Sequence, residues 1–132
     1  MRGQFVGLSS FFKEGKMKTI LLFEVNIFKL NQIALLCNKL NINLKIIQSK
    51  DYNKPLAVLA GIKKSKKQCD CPESSLGGEM MVLAGFSSDN LNSFIEEYNK
   101  SLIPAIKRKA VLTASNSTWN ARQLYQHLEE HI

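Results

Sequence analysis

Apolar residues occur along the chain either in short continuous runs or at helical spacing, and the two patterns alternate. Four short runs rich in apolar residues lie at positions 19–25, 44–48, 79–84 and 109–113. A strand that is covered on both faces loses the alternation of apolar and polar residues. These runs therefore predict four strands, of which 19–25 and 109–113 are expected to be covered on both faces.

Each predicted strand is followed by a stretch that predicts a helix. Pro55 is typical of a first helical turn and opens a short apolar segment that ends near Gly61. After the other three strands, apolar residues recur every three or four positions, as on one face of an α-helix. The residues of these three faces are Leu30, Ile33, Ala34, Cys37 and Leu40; Leu91, Phe94, Ile95, Tyr98 and Leu102; and Ala121, Leu124, Tyr125, Leu128 and Ile132.

The order of these elements, β-α-β-α followed by β-α-β-α, indicates an α/β fold made of two tandem units. A strand, a crossover helix and a second strand nearly always form a parallel connection. We therefore predict one four-stranded, mostly parallel sheet flanked by helices. The chain of 132 residues has the length of one domain, to which we assign residues 17–132.

Two stretches do not follow either pattern. Residues 62–78 are rich in Lys, Ser, Gly and Pro, which predicts an exposed and mobile linker between the two units. Residues 1–16 show no period, so we expect a disordered or peripherally packed arm. Because a predicted strand begins soon after Met17, we also hypothesise that Met17 is the natural start and that residues 1–16 do not belong to the natural protein.

The turns that follow three of the predicted strands carry the polar residues best placed to bind a ligand. In open parallel sheets, ligands bind beyond the carboxyl ends of the strands, where helix N-termini offer unpaired amides. The candidate pocket residues are Glu24, Asn26, Gly85, Phe86, Ser87, Thr113, Asn116 and Trp119.

The same turns also have a purely structural interpretation, which we favour. Asn26 is placed to cap the first helix, and Ser88 is placed to cap the helix after the third strand. Asn116 and Ser117 are likewise cap residues for the last helix in this interpretation. The Trp119 ring would then fill the core instead of forming a pocket wall.

The C-terminal half of the chain resembles DUF3783, an uncharacterised bacterial family that is a domain of unknown function. The residues that carry the resemblance are Glu79, the run 80–83, Gly85, Phe86, Leu91, the run 109–113, Asn116, Trp119 and Leu124. In the first half of the chain the resemblance extends to the layout alone. The family has no established activity, substrate or cofactor, so the resemblance bears on fold and boundaries and implies no catalytic residue.

Composition places the chain among globular proteins, with 45% apolar and 22% charged residues. No apolar run approaches the roughly 18 residues that a membrane span requires. The first residues do not build the apolar core of a signal peptide, so we expect a cytoplasmic protein. In that compartment the three cysteines are expected to be reduced thiols.

The formal net charge of +7 raises the question of a polyanionic partner. Basic residues cluster at 63–67, with Lys63, Lys64, Lys66 and Lys67, and again at 107–109. These clusters could contact phosphates, but they lack the interleaved aromatic residues of a nucleic-acid module. A solvated linker is the simpler interpretation, so nucleic-acid binding is the weakest of our functional hypotheses, and we predict no membrane contact.

The sequence shows no dinucleotide-binding, phosphate-binding-loop, nucleophile-elbow or paired-carboxylate motif. Cys69, Cys71, His127 and His131 could in principle bind zinc. The Cys-x-Cys spacing is tighter than that of zinc fingers, so we expect exposed thiols and solvated imidazoles instead. Cys37 lies on the apolar face of its helix and is expected to be a core residue. We predict no cofactor.

The leading functional hypothesis is a small cytoplasmic interaction or regulatory domain without catalysis, which self-associates or binds a protein partner. A short four-stranded sheet is expected to leave an apolar edge or helix face uncovered, and this favours self-association. The alternative is a small-molecule-binding or enzymatic domain that uses the turns named above. The two hypotheses differ in whether those turns enclose a polar pocket or are filled by Phe86 and Trp119.

Overall fold

The structure is a computed structural model, and it describes residues 18–62 and 75–130. The predicted N-terminal arm, the proposed start at Met17 and residues 63–74 of the predicted linker lie outside the described residues. The elements in chain order are β1 (Thr19–Phe23), α1 (Ile27–Lys39), β2 (Asn43–Ile47), α2 (Leu56–Leu59), β3 (Met80–Ala84), α3 (Ser88–Lys100), β4 (Arg108–Val111) and α4 (Ala121–Glu130). A 3₁₀ turn, Ser49–Asp51, lies between β2 and α2.

The four strands form one sheet with the order β2-β1-β3-β4. β1 is parallel to β2, and β3 is parallel to β4, as the two strand-helix-strand units predicted. The two central strands, β1 and β3, are antiparallel, with Leu21 opposite Val82 at the middle of the pairing. The sheet is therefore mixed, and the prediction of a mostly parallel sheet is wrong.

Helices cover both faces of this sheet. On the first face, α1 and α3 pack on alternate residues of the central strands, among them Leu22 and Met81. On the second face, α2 and α4 pack on the intervening residues, among them Leu21 and Val82. Because both faces are covered, β1 and β3 are buried along their whole length, which is why their sequences are continuous apolar runs.

The ends of the elements follow from local hydrogen bonds and backbone conformation. The Asn26 side chain accepts a hydrogen bond from the Lys29 amide and caps α1, as its position predicted. The cap of α3 is Ser87, not Ser88 as predicted, because the Ser87 side chain accepts from the Asn90 amide. α3 ends at Lys100, so Leu102 is not on its apolar face and is 86% exposed.

The cap of α4 was not among the predicted ones. The Asn120 side chain accepts a hydrogen bond from the Gln123 amide at 2.9 Å, and the Gln123 side chain accepts from the Asn120 amide at 2.8 Å. This reciprocal pair satisfies two amides of the first turn. Asn116 and Ser117, which the sequence suggested as caps of this helix, lie in the loop before it.

No helix in the described part of the chain has the length and apolarity needed to cross a lipid bilayer.

Candidate functional site

An apolar groove lies on the first face of the sheet, between α3 and the edge strand β4. Its volume is about 430 Å³. The residues that line it are Met81, Leu83, Leu91, Phe94, Ile95, Tyr98, Asn99, Ile103, Ala105, Lys109, Ala110 and Val111. A cavity of this size lies within the range of small-molecule sites in proteins, which are concave and mostly apolar.

The groove exists because α3 presents a wider apolar face than the sheet beneath it can cover. Leu91, Phe94 and Tyr98 are buried, whereas Ile95, on the same side of the helix, is 48% exposed. β4 is the last strand of the sheet and has four residues. No further strand packs beside it in the described part of the chain, so the outer side of α3 overhangs an open space.

Among the described residues that line the groove, Lys109 has the one charged side chain. The parallel pairing places Lys109 opposite Met81 and Val111 opposite Leu83, so all four side chains stand on the face that α3 covers. The Lys109 side chain makes no hydrogen bond or ion pair with any residue that the structure describes. Asn99 supplies the lining with a neutral polar group.

Tyr98 forms part of one end of the groove and holds the loop after α3 in place. Its hydroxyl donates a hydrogen bond to the Pro104 carbonyl at 2.8 Å. Burial raises the pKa of Tyr98 to about 12, and the negative charge of Glu79 adds to this effect. The phenol is therefore neutral at physiological pH and acts as a donor to the loop that carries Ile103 and Ala105.

The same loop is tied to α1 by an ion pair between Lys29 and Glu79. The Lys29 ammonium lies 2.5 Å from Glu79 Oε1 and donates to the Ala105 carbonyl at 3.2 Å. Glu79 Oε2 also accepts from the Asn26 amide at 3.1 Å. Burial alone would raise the pKa of Glu79, but the Lys29 ammonium and the Asn26 amide outweigh it, so the pKa lies below its ordinary value.

The residues predicted to form one pocket are divided between the two opposite ends of the strands. Because β1 and β3 are antiparallel, the residue before β3, Glu79, lies at the end of β1 where Glu24 and Asn26 lie. Gly85 follows the other end of β3, beside the start of β1. A second group, Gly85, Phe86, Ser87, Thr113 and Asn116, therefore lies at the carboxyl ends of β3 and β4, away from Glu24 and Asn26.

The residues at the carboxyl ends of β3 and β4 have structural partners. Gly85 has a φ of +79°, a conformation that favours glycine, and Phe86 is buried in the core. Asn116 accepts a hydrogen bond from the Thr113 amide at 2.8 Å and donates one to the Val111 carbonyl at 3.1 Å. These contacts fix the loop that leaves β4.

Glu24 also has a structural partner, the segment that leads into β3. Its carboxylate accepts hydrogen bonds from the Ser75 hydroxyl at 2.6 Å and from the Leu76 amide. Burial alone would raise the pKa of Glu24, but these hydrogen bonds outweigh it and the pKa is lowered. Its φ of +59° turns the chain out of β1.

Trp119 packs half-buried against the second face of the sheet, so it contributes nothing to the groove. Its ring meets the His127 ring edge-on, with the ring centres 5.2 Å apart. Together with Gln123 and Gln126, these two residues border a shallow surface depression. None of the residues predicted to form the pocket lines the groove.

The structure does not bring the candidate metal ligands that it describes together. Cys69, Cys71 and His131 lie outside the described residues, and His127 lies against Trp119. Within residues 18–62 and 75–130, no three His, Cys, Asp or Glu side chains converge on one point. Cys37 is buried in the first core, and burial raises the pKa of its thiol to about 11. This thiol is therefore protonated and poorly suited to be a nucleophile.

The basic residues at 107–109, which the structure describes, do not form one surface. Lys63 to Lys67 lie outside the described residues. The Arg108 guanidinium stacks over the Tyr125 ring, 4.5 Å from its centre, and pairs with Glu129. Lys109, its neighbour in sequence, faces the opposite side of the sheet. The cluster at 107–109 is therefore divided between the two faces.

The pocket predicted from the sequence includes neither the groove nor Lys109. The signals were present in the chain, since the face predicted for α3 includes Ile95, and Lys109 stands at the start of an apolar run. What was missing was the strand order. The apolar face of α3 borders an open groove because β4, the strand beneath it, is the last strand of the sheet.

The comparisons with known proteins concern this C-terminal part of the molecule. Residues 79–131 match the family model described as Domain of unknown function (DUF3783), which confirms the resemblance predicted for this half. No curated protein and no solved structure matches the chain. All residues that line the groove lie within the matched span. The C-terminal part of the chain, from β3 to α4, is thus similar to a domain of unknown function.

Proposed function

We propose that the chain is a binding domain without catalytic activity, and that the groove between α3 and β4 takes up an apolar ligand. The observation that carries the proposal is the groove itself, an apolar cavity of about 430 Å³ that opens to solvent. Protein interiors are close-packed, so an open apolar cavity of this size is costly unless it is occupied.

The composition of the groove supports binding over chemistry. Its ionisable lining side chains are Lys109 and Tyr98, and the phenol of Tyr98 is already committed to the Pro104 carbonyl. Among the residues that the structure describes, none in the lining supplies a carboxylate, imidazole or thiol that could act as a base or nucleophile. An apolar ligand in this position would contact Phe94 and Ile95 of α3.

The proposal is tested by a titration with octanol, an uncharged apolar probe, followed by two-dimensional amide NMR. We expect shifts at Phe94, Ile95 and Val111, and none in α4 on the second face. Ile95→Glu should weaken octanol binding about tenfold, because it places a charge in the apolar site.

Ile27→Glu is the matched control for this titration. It makes the same change at an exposed isoleucine of α1, outside the groove. Octanol binding should then be unchanged. Equal binding by both variants, or shifts spread over both faces of the sheet, would contradict the proposal.

Self-association is a second candidate, favoured by the exposed apolar side chains of α1. Phe28 and Leu35 are 79% and 73% exposed, and their seven-residue separation puts them on one side of the helix. If two copies pair antiparallel about a two-fold axis, Phe28 of each copy faces Leu35 of the other. Sedimentation equilibrium should show a dimer that Leu35→Glu dissociates. A monomer at high concentration would contradict this candidate.

A further inference from the structure

We propose that the ligand of the groove is an anionic amphiphile, an aliphatic chain with one carboxylate that pairs with Lys109. This inference rests on the proposed function, since it names the class of molecule that the groove binds. It is carried by the position of Lys109, by the charge of the lining and by the distribution of polar groups along the groove.

Lys109 is exposed on the edge strand β4, and its register places it on the face of the sheet that lines the groove. Its partner in the parallel pairing is Met81, and Met81 is buried beneath the helices of the first face. The neighbouring pair on this face, Val111 and Leu83, is apolar. Lys109 thus adds an exposed basic side chain to a row that is otherwise apolar on this face of the sheet.

Arg108, the neighbouring basic residue of β4, differs from Lys109 because its side chain has partners within the protein. Its guanidinium lies over the Tyr125 ring and pairs with Glu129 on the second face. Lys109 has no such partner among the described residues, and the lining of the groove carries no negative charge. A bound carboxylate would supply the missing counter-charge and accept a charge-assisted hydrogen bond.

The polar groups lie toward one end of the groove. α3 runs back along β3, so its C-terminal residue in the lining, Asn99, lies on the side of Met81 and Lys109, whereas Leu91 lies on the side of Leu83. The lining stretch of α3 from Leu91 to Asn99 is about 12 Å long. An amphiphile would therefore place its head near Lys109 and its aliphatic chain toward Leu83 and Leu91.

The experiment compares octanoate with octanol by isothermal titration calorimetry of the full chain at neutral pH. We expect the wild-type protein to bind octanoate more tightly than octanol, with a preference that weakens as salt is added. Lys109→Met should lower the preference for octanoate over octanol about fivefold, as expected for the loss of a partly exposed ion pair. Lys109→Gln, which keeps a polar side chain, should also weaken octanoate binding.

Lys107→Met is the matched control, because Lys107 is exposed two residues away and does not line the groove. It should leave the affinity for both probes unchanged. If octanoate and octanol bind equally and Lys109→Met has no effect, the anionic head is refuted while the apolar groove stands. If neither probe binds, the proposed function itself fails.

A third outcome would also overturn the inference. Charged side chains on edge strands can serve to prevent pairing with other chains. Should Lys109→Met cause self-association, measured by sedimentation, while octanoate affinity stays at the wild-type value, Lys109 protects the edge of the sheet and is not a ligand contact.

Discussion

The ion pair between Lys29 and Glu79 offers a sharp test of how the two halves of the molecule are joined. Glu79 directly precedes β3, and Lys29 lies in the first turn of α1. Their side chains are 23% and 10% exposed, so the pair is largely removed from water. The perturbations are Glu79→Gln, Lys29→Met and the double variant.

The expected magnitudes follow from what each substitution leaves behind. Glu79→Gln leaves the Lys29 ammonium with the Ala105 carbonyl as its remaining partner. The cost should be about 2 kcal/mol, between the value of an exposed pair and that of a fully buried one. Lys29→Met should cost about 1 kcal/mol, since the Glu79 carboxylate keeps the Asn26 amide. The double variant should be about 1 kcal/mol more stable than the sum of the two single effects predicts.

The assay is urea denaturation followed by circular dichroism, with the free energy of unfolding taken from the midpoint and slope. An unchanged slope with a lower midpoint shows that the variants unfold from the same compact state. Single-variant losses below about 0.3 kcal/mol, or strictly additive effects, would refute the reasoning, because they would show that the pair is solvated and contributes nothing.

The pH dependence gives an independent readout of the same carboxylate. The folded-state pKa of Glu79 is lowered, so its contribution to stability is complete above the unfolded pKa of about 4.3 and is lost as the pH falls through the lower folded value. As the pH is lowered below about 4, the free energy of unfolding should therefore fall less for Glu79→Gln than for the wild-type protein. Parallel curves for the two proteins in that range would contradict this account.

Three further substitutions or reagents test the loops and the first core. Asn116→Ala should lower the free energy of unfolding by about 2 kcal/mol, because it leaves two loop hydrogen bonds unmade; Ser115→Ala, at an exposed position of the same loop, should change it little. Gly85→Ala should cost about 1 kcal/mol through its φ of +79°, measured by thermal unfolding. Iodoacetamide should not label Cys37 in a folded variant that lacks the cysteines of 62–78, because the thiol is buried and its pKa is raised to about 11. Rapid labelling without unfolding would contradict that result.

Much of the local structure was predictable because the spacing of apolar residues along the chain indicates which side chains are buried. The continuous run in β1 identified a strand covered on both faces, and the structure buries all five of its residues. Asn26 was correctly predicted as a cap, since its side chain and the helix pattern that follows are adjacent in sequence. Ser88 was predicted in place of Ser87 because two adjacent serines offer the same chemistry, and the backbone conformation decides between them.

The predicted pocket did not form because its residues were grouped by an assumed strand direction. Each half determines its own parallel pair through a short crossover helix. The direction of one pair relative to the other depends on which distant strands meet at the centre of the sheet, and neither composition nor periodicity contains that information. Because β1 is antiparallel to β3, Glu24 and Gly85 lie at opposite ends of the two central strands.

By itself the sequence determined the α/β class, the order and approximate limits of the elements, the globular composition and the similarity of the C-terminal half to a domain of unknown function. These features depend on contacts between near neighbours along the chain. The tertiary structure decided the mixed sheet, the position of β4 at its edge and the groove that contains Lys109. Those features depend on which distant segments pair, and the side-chain pattern is the same for either direction of pairing.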